Sequence, residues 1–259
     1  FELDRSYLGY QYDLGKGLQI KGVMDVGQSD DVNDYHRIAY IKNAQITWKT
    51  GNFTLNGGMI STIQFNMQEK FWGYRYVMKM SQDVYKFGSS ADLGLSASYK
   101  FNDWLYADAI IVNGEGYKKV QKSDGLMYGL GATLTPADAL TFRVYYGLNE
   151  TTEPNKKDVQ NLATFIGLKL DRFSLGAEYN KMWNYKNVSG DDYDGFSIYT
   201  NFKLDKKADL YLRYDDCSLG ERSDFIAGVQ WKLGKYVKIS PNFRWSHKDV
   251  SGEQSDSYM

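Results

Sequence analysis

Residues 92–116, DLGLSASYKFNDWLYADAIIVNGEG, alternate between two chemistries one residue at a time. Leu93, Leu95, Ala97, Tyr99 and Phe101 are apolar, whereas Asp92, Gly94, Ser96, Ser98 and Lys100 between them are small or polar. After Asn102-Asp103 the alternation resumes with Leu105, Ala107, Ala109 and Ile111. A period of two on each side of a tight Asn-Asp turn reads as a β-hairpin with one greasy and one polar face. The polar face is too hydrophilic for a protein core, so the fold depends on what the greasy face touches.

Composition narrows the choice. Among 259 residues, 31 Lys and Arg face 32 Asp and Glu, which leaves no polycationic surface for nucleic acid. Tyrosine occurs 22 times, Phe 13 and Trp 6, but proline only 3. Mean hydropathy is −0.53, the value of a water-soluble chain. The same average arises when half of each strand faces water and half faces lipid. Cys217 is the single cysteine, so neither a disulfide framework nor a cysteine zinc site is available. No run approaches the ~20 apolar residues of a membrane helix.

The hairpin pattern recurs along the chain. Short turns fall at 15–17, 50–52, 102–103, 136–139, 171–172, 205–208 and 234–235. Longer polar connections fall at 29–37, 63–91, 113–124, 150–160, 184–194, 216–223 and 247–257. One end of the structure therefore carries tight turns and the other long loops, the plan of outer-membrane barrels. Fourteen strands are readable, from 5–14 and 18–28 to 224–233 and 236–246. With one further strand expected at each end, the native barrel would have sixteen, because an open sheet exposes two edges in lipid. All of 1–259 reads as one all-β domain, a transmembrane antiparallel up-and-down β-barrel. Tyr10, Tyr12, Tyr40, Trp48, Tyr99, Tyr179, Trp183, Trp231 and Trp245 lie toward strand ends around aliphatic middles, which reads as an aromatic girdle. The greasy face is thus expected to touch outer-membrane lipid.

Particular segments also carry a resemblance. FELDRSYLGYQYDLGKGLQIKGVMDVG (1–27), KNAQITWK (42–49), QFNMQEKFWGYRY (64–76), FGSSADLGLSASYKF (87–101) and IVNGEGYKK (111–119) resemble Bacteroidetes porins related to the phosphate-selective porins O and P. The resemblance implies a sixteen-stranded bacterial outer-membrane porin, often a homotrimer, with an inward-folded loop between its fifth and sixth strands. It does not imply phosphate selectivity, since no phosphate-binding lysine or arginine cluster is matched residue by residue.

Residues 63–91 are the longest connection. Phe65, Met67, Phe71, Trp72, Tyr74, Tyr76, Met78 and Met80 make it too apolar for a freely solvated loop. It is expected to fold inward and bring Lys70, Arg75, Lys79 and Lys86 to a constriction; a lid over the barrel mouth is the alternative. On the walls, the phase that puts greasy residues in lipid turns Arg5, Lys21, Lys49, Lys100, Arg143, Lys169, Lys203, Arg213, Lys232, Lys238 and Arg244 inward. Asp13, Asp25, Asp92, Asp108, Glu178, Asp209, Asp215 and Asp224 share that face. Cations outnumber acids, which favours passing anions modestly, although any single charge is as readily paired across strands. Lys42 breaks the alternation and calls for a bulge near 38–43.

Enzyme signals are weak. His36 and His247 fall in no catalytic motif, and DDVND (30–34) and DDYDG (191–195) lack the spacing of a calcium loop. No cofactor or metal is expected. The sequence reads as a porin for passive diffusion of small hydrophilic solutes, anions among them. The alternative is a closed structural or surface-binding barrel, against which the inward glycines Gly94, Gly129, Gly131, Gly147, Gly167, Gly176 and Gly228 argue by leaving the inner wall lean.

Overall fold

Local chemistry sets the strand ends. Asn102 Oδ1 accepts from the backbone N–H of Trp104 and Leu105 at 3.0 and 2.8 Å, and Asp205 Oδ1 does the same for Lys207 and Ala208 at 2.6 and 2.8 Å. Such side chains substitute for the backbone partners a reversing chain lacks. At the first turn Gly15, Lys16 and Gly17 all take positive φ. The computed structural model describes residues 5–27, 37–121, 124–250 and 253–258. His36 and the acidic run 30–34 lie outside the described residues.

Among the described residues sixteen strand segments form one antiparallel sheet; fifteen follow one another in chain order, and the short β14 pairs with β13 alongside β15. They are β1 Arg5–Gly15, β2 Leu18–Gly27, β3 Ile38–Thr50, β4 Phe53–Ser61, β5 Ala91–Lys100 and β6 Leu105–Val112. Next come β7 Met127–Ala137, β8 Leu140–Asn149, β9 Val159–Lys169, β10 Phe173–Trp183 and β11 Tyr193–Lys203. The last are β12 Ala208–Cys217, β13 Arg222–Lys232, β14 Lys238–Ile239, β15 Asn242–Val250 and β16 Glu253–Tyr258. Two short helices, α1 Asn66–Trp72 and α2 Ser81–Val84, lie between β4 and β5.

The expected strand at 236–246 is two pieces, β14 and β15, which pair with β13 in one continuous register. Pro241, with no N–H to donate, separates them. The loop expected at 247–257 is mostly strand, because β15 runs on to Val250 and β16 begins at Glu253. Its residues EQSDSY have no apolar alternation to announce it.

Burial is inside out. Along β12, Tyr211, Arg213, Asp215 and Cys217 are buried, with Arg213 1% and Asp215 0% exposed. Leu212 and Tyr214 between them are each 37% exposed. A soluble sheet buries the opposite set. Exposed apolar side chains such as Leu8, Tyr10, Leu95, Leu130, Val144, Ile166, Phe196 and Phe243 spread over strands along the whole sheet. The polar face is concave: side chains from β8, β12, β13 and β15 all reach the one segment 62–90. From the opposite end of the sheet, Arg5 of β1 lines one cavity together with Lys79 and Lys86 of that segment.

Tyr40 does not join the outer girdle. In β2–β3 pairing Val23 faces Asn43 and Met24 faces Ile41, so Lys42 is an extra, bulged residue. The bulge reverses the phase above it and turns Tyr40 inward, edge-on to Tyr117 with ring centroids 6.3 Å apart.

Candidate functional site

The segment 62–90 leaves and rejoins the wall at one place, where Thr62 N–H donates to Ser90 O at 3.3 Å and the Thr62 hydroxyl donates to Ser89 O. From that neck it runs against the inner face. α1 stops at Gly73, whose φ of 77° lets its N–H reach Glu69 O at 3.0 Å. Phe65, Trp72, Tyr74, Val77 and Met80 are buried against Phe165, Tyr199, Tyr211 and Ile226 of β9 to β13. Trp72 meets Tyr199 and Tyr211 edge-on at 5.6 and 5.7 Å, and its indole N–H donates to Met78 O at 3.1 Å. A second cluster joins Tyr85 and Phe87 to Met182, Tyr193 and Cys217. Two lysines of the segment lie toward the first strands, Lys70 within reach of Lys21 on β2 and Lys79 within reach of Arg5 on β1.

The inward glycines do not leave this wall lean. A Cβ on Gly176 would stand 2.4 Å from Tyr199 Cε2, and one on Gly228 2.3 Å from the Tyr211 hydroxyl. Glycine is needed there because flat tyrosine rings lie directly over the backbone.

Most of the expected inward arginines are clamps. Arg143 makes two bonds of 2.9 Å to Asp108 and a third, of 2.8 Å, to Ile63 O. Arg213 is held by Asp215 at 2.8 and 2.5 Å, donates to Lys79 O at 2.7 Å, and lies 5.3 Å over the Trp72 ring. Arg5 pairs with Asp25 at 3.1 Å, and Arg75 pairs with Glu69 and, at 3.2 Å, with Asp83. Arg244 donates to Val77 O at 2.6 Å. Lys100 binds Asp103 in an exposed turn. Other clamps were not evident from sequence: Gln82 donates to Glu178 at 2.8 Å, the Tyr85 hydroxyl to Asp224 at 2.6 Å and the Tyr76 hydroxyl to Gln230 at 2.8 Å. Linking such partners requires the path of the segment as well as strand phase.

Lysines remain without an acid partner among the described residues: Lys21, Lys42, Lys70, Lys79 and Lys86 have no ion pair. Burial pushes the Lys79 pKa down, and Arg5, Lys118 and Arg75 push it further against the pull of Asp83. Burial also works against the Arg75 charge, but Glu69 and Asp83 more than offset it and raise its pKa. Above the segment, on the loop side, a cavity of about 660 Å3 is lined by Lys79, Lys86, Tyr117, Lys118, Lys119 and Lys186 together with Asp83 and Asp92. Another hollow, of about 550 Å3, lies on the outer face among Leu134, Phe142, Val144, Ile166 and Phe196, within the apolar belt. His247 bonds Asp256 at 2.7 Å, and among the described residues no cluster of His, Cys, Asp or Glu is arranged to hold a metal.

No family model matches the sequence, and no curated protein matches it. Solved structures do. Outer-membrane expressed OmpT of Vibrio cholerae is 16% identical, with 98% of this chain and 86% of that one covered at a TM-score of 0.66. OmpF of Salmonella typhi, in complex with daunomycin, is 10% identical over 93% and 81% of the two chains, TM-score 0.68. An anion-selective porin from Comamonas acidovorans is 12% identical over 95% and 79%, TM-score 0.66. At such identities the likeness is one of architecture: the chain has the antiparallel up-and-down β-barrel fold of the outer-membrane porins.

Proposed function

We propose that the chain is a bacterial outer-membrane pore for passive diffusion of small hydrophilic solutes, with a modest preference for anions. The observation that carries this reading is the unequal treatment of charge on the inner face. Arginines there are neutralised by carboxylates or bound to backbone oxygens, while Lys79 and Lys86 beside the 660 Å3 cavity, Lys21 on β2 and Lys42 on β3 have no acid partner among the described residues. Unpaired ammonium groups facing water set the sign of the ion that passes. Solute enters from the long-loop side, passes the 62–90 segment and leaves at the short turns. The exposed apolar belt faces lipid, and no chemical step is assigned to the protein. Kinship with Bacteroidetes porins of the O and P type rests on the sequence segments quoted above, and a homotrimer is the assembly that kinship implies.

Planar-bilayer recording of the folded protein tests the reading. Discrete conductance steps with an anion-directed reversal potential under a KCl gradient are expected. One observation favours a second reading: the aromatic cluster of Trp72, Tyr199 and Tyr211 fills part of the interior, as in a closed structural or surface-binding barrel. Protein shown to be folded but electrically silent would establish that alternative. Mass measurement in detergent would distinguish trimer from monomer.

A further inference from the structure

Lys42 is where the β3 bulge has its chemical consequence. Without the extra residue, Lys42 would share the outward phase of Ala44 and Ile46 and lie in the apolar belt. A lysine on the lipid face of such a barrel is destabilising. The bulge between Ile41 and Asn43 instead leaves Ile41 outside, 60% exposed, and turns the ammonium group inward. There Lys42 Nζ lies 4.7 Å from the Tyr7 ring centroid and 5.8 Å from that of Tyr117, and it donates to the Tyr7 hydroxyl at 3.3 Å.

The chemistry of those partners matters. Aromatic faces and a phenol oxygen position an ammonium group without neutralising it. The nearby carboxylate, Asp25, is already engaged by Arg5 at 3.1 Å and by the Tyr117 hydroxyl at 2.5 Å. Lys42 is therefore held in place without an acid partner among the described residues. Its field and that of Lys70, on α1, both reach Lys21 on β2. These three lysines come from β2, β3 and the enclosed segment, on the side of the interior not filled by the aromatic clusters.

We infer that Lys42, together with Lys21 and Lys70, forms the charge filter of the pore and sets its preference for anions; this rests on the diffusion reading above. An anion passing between the wall and α1 exchanges part of its hydration for these ammonium groups, and a cation is repelled by all three. Arg5 and Arg75 add little, because each is neutralised by its acid. The bulge is then the element that determines specificity, since it brings Lys42 into the solute path.

The test is the reversal potential of Lys42→Met, Lys42→Glu and Lys42→Arg in planar bilayers under a KCl gradient, with folding verified by heat-dependent gel mobility. The anion-to-cation permeability ratio is expected to fall about threefold in Lys42→Glu, less in Lys42→Met, and to be retained in Lys42→Arg. Lys206→Gln, in an exposed short turn, is expected to leave it unchanged. If Lys42→Glu fails to fold, Lys21→Met and Lys70→Gln supply the same readout from a different strand and from the segment. Conducting variants with unaltered selectivity would overturn the inference and leave the pore. Folded wild-type protein without conductance would overturn the diffusion reading, and the inference with it.

Discussion

The inner faces of β9–β13 and of β1–β3 follow the same alternation, yet they are opposite environments. On the first, Phe165, Tyr199 and Tyr211 pack against Phe65, Trp72 and Tyr74, and buried charges such as Arg213 and Asp215 close on each other. On the second, Lys21 and Lys42 have no acid partner among the described residues, and Gln45 and Thr47 of β3 form uncharged hydrogen bonds with each other and with Asn56 of the adjoining β4. Strand pattern alone does not distinguish them. The difference is the 62–90 segment, which packs its aromatic residues on one wall and has Lys70 and Lys79 on the side of the other. Burying a large apolar side chain contributes about 1.5–3 kcal/mol, so the aromatic contacts bias the segment toward β9–β13. The wall the strap covers is the dry half of the interior, and β1–β3, which lacks that aromatic packing, is on the diffusion reading the wet half.

The severest way to break this division is to strand a charge in the dry half. Arg213→Met leaves Asp215 buried without its partner and is expected to cost about 3–5 kcal/mol in a reversible urea titration in lipid vesicles. Arg213→Met combined with Asp215→Leu should recover most of that loss, since desolvating an ion pair largely cancels its attraction. Trp72→Ala ranks next, at about 3 kcal/mol, because a fully buried side chain is removed and the segment relaxes only partly into the gap. It should also raise single-channel conductance and make the 62–90 segment accessible to protease. Tyr85→Phe is milder. Asp224 loses the 2.6 Å bond from the Tyr85 hydroxyl but keeps Arg222 at 2.8 Å, so a loss of about 1 kcal/mol is expected in the same titration. The smallest effect belongs to the wet half. With its pKa held down by burial and neighbouring cations, Lys79 loses its proton at a lower pH than an ordinary lysine. Anion selectivity should begin to decline in mild alkali, and Lys79→Gln should remove the first part of that decline in recordings across pH.

Much of this was legible residue by residue. The alternation at 92–101 assigns both faces of β5, Asn102 and Asp205 mark turns by their side-chain acceptors, and the aromatic crowding of 63–91 calls for a surface to pack on. Lys42 announced the bulge by breaking phase. Its reach was not legible, because a bulge displaces every residue beyond it, and Tyr40 changed sides as a result. β16 was hidden for another reason: a strand whose residues are all polar carries no period to detect. Nor does sequence tell which acid meets which arginine. Arg143 and Asp108 come together across two intervening strand pairings, and Arg213 finds its carboxylate only two residues away on the same face.

Gly176 shows how far a small change on the dry wall could travel. A methyl group there would displace the Tyr199 ring, and the ring supports Trp72 and Phe71. The displacement would be passed to α1, which carries both of those residues. On the diffusion reading, the space beside α1 is therefore set from behind, by the missing side chain on the far wall, and an evolving lineage could narrow or widen it without touching any residue on the side the solute would pass.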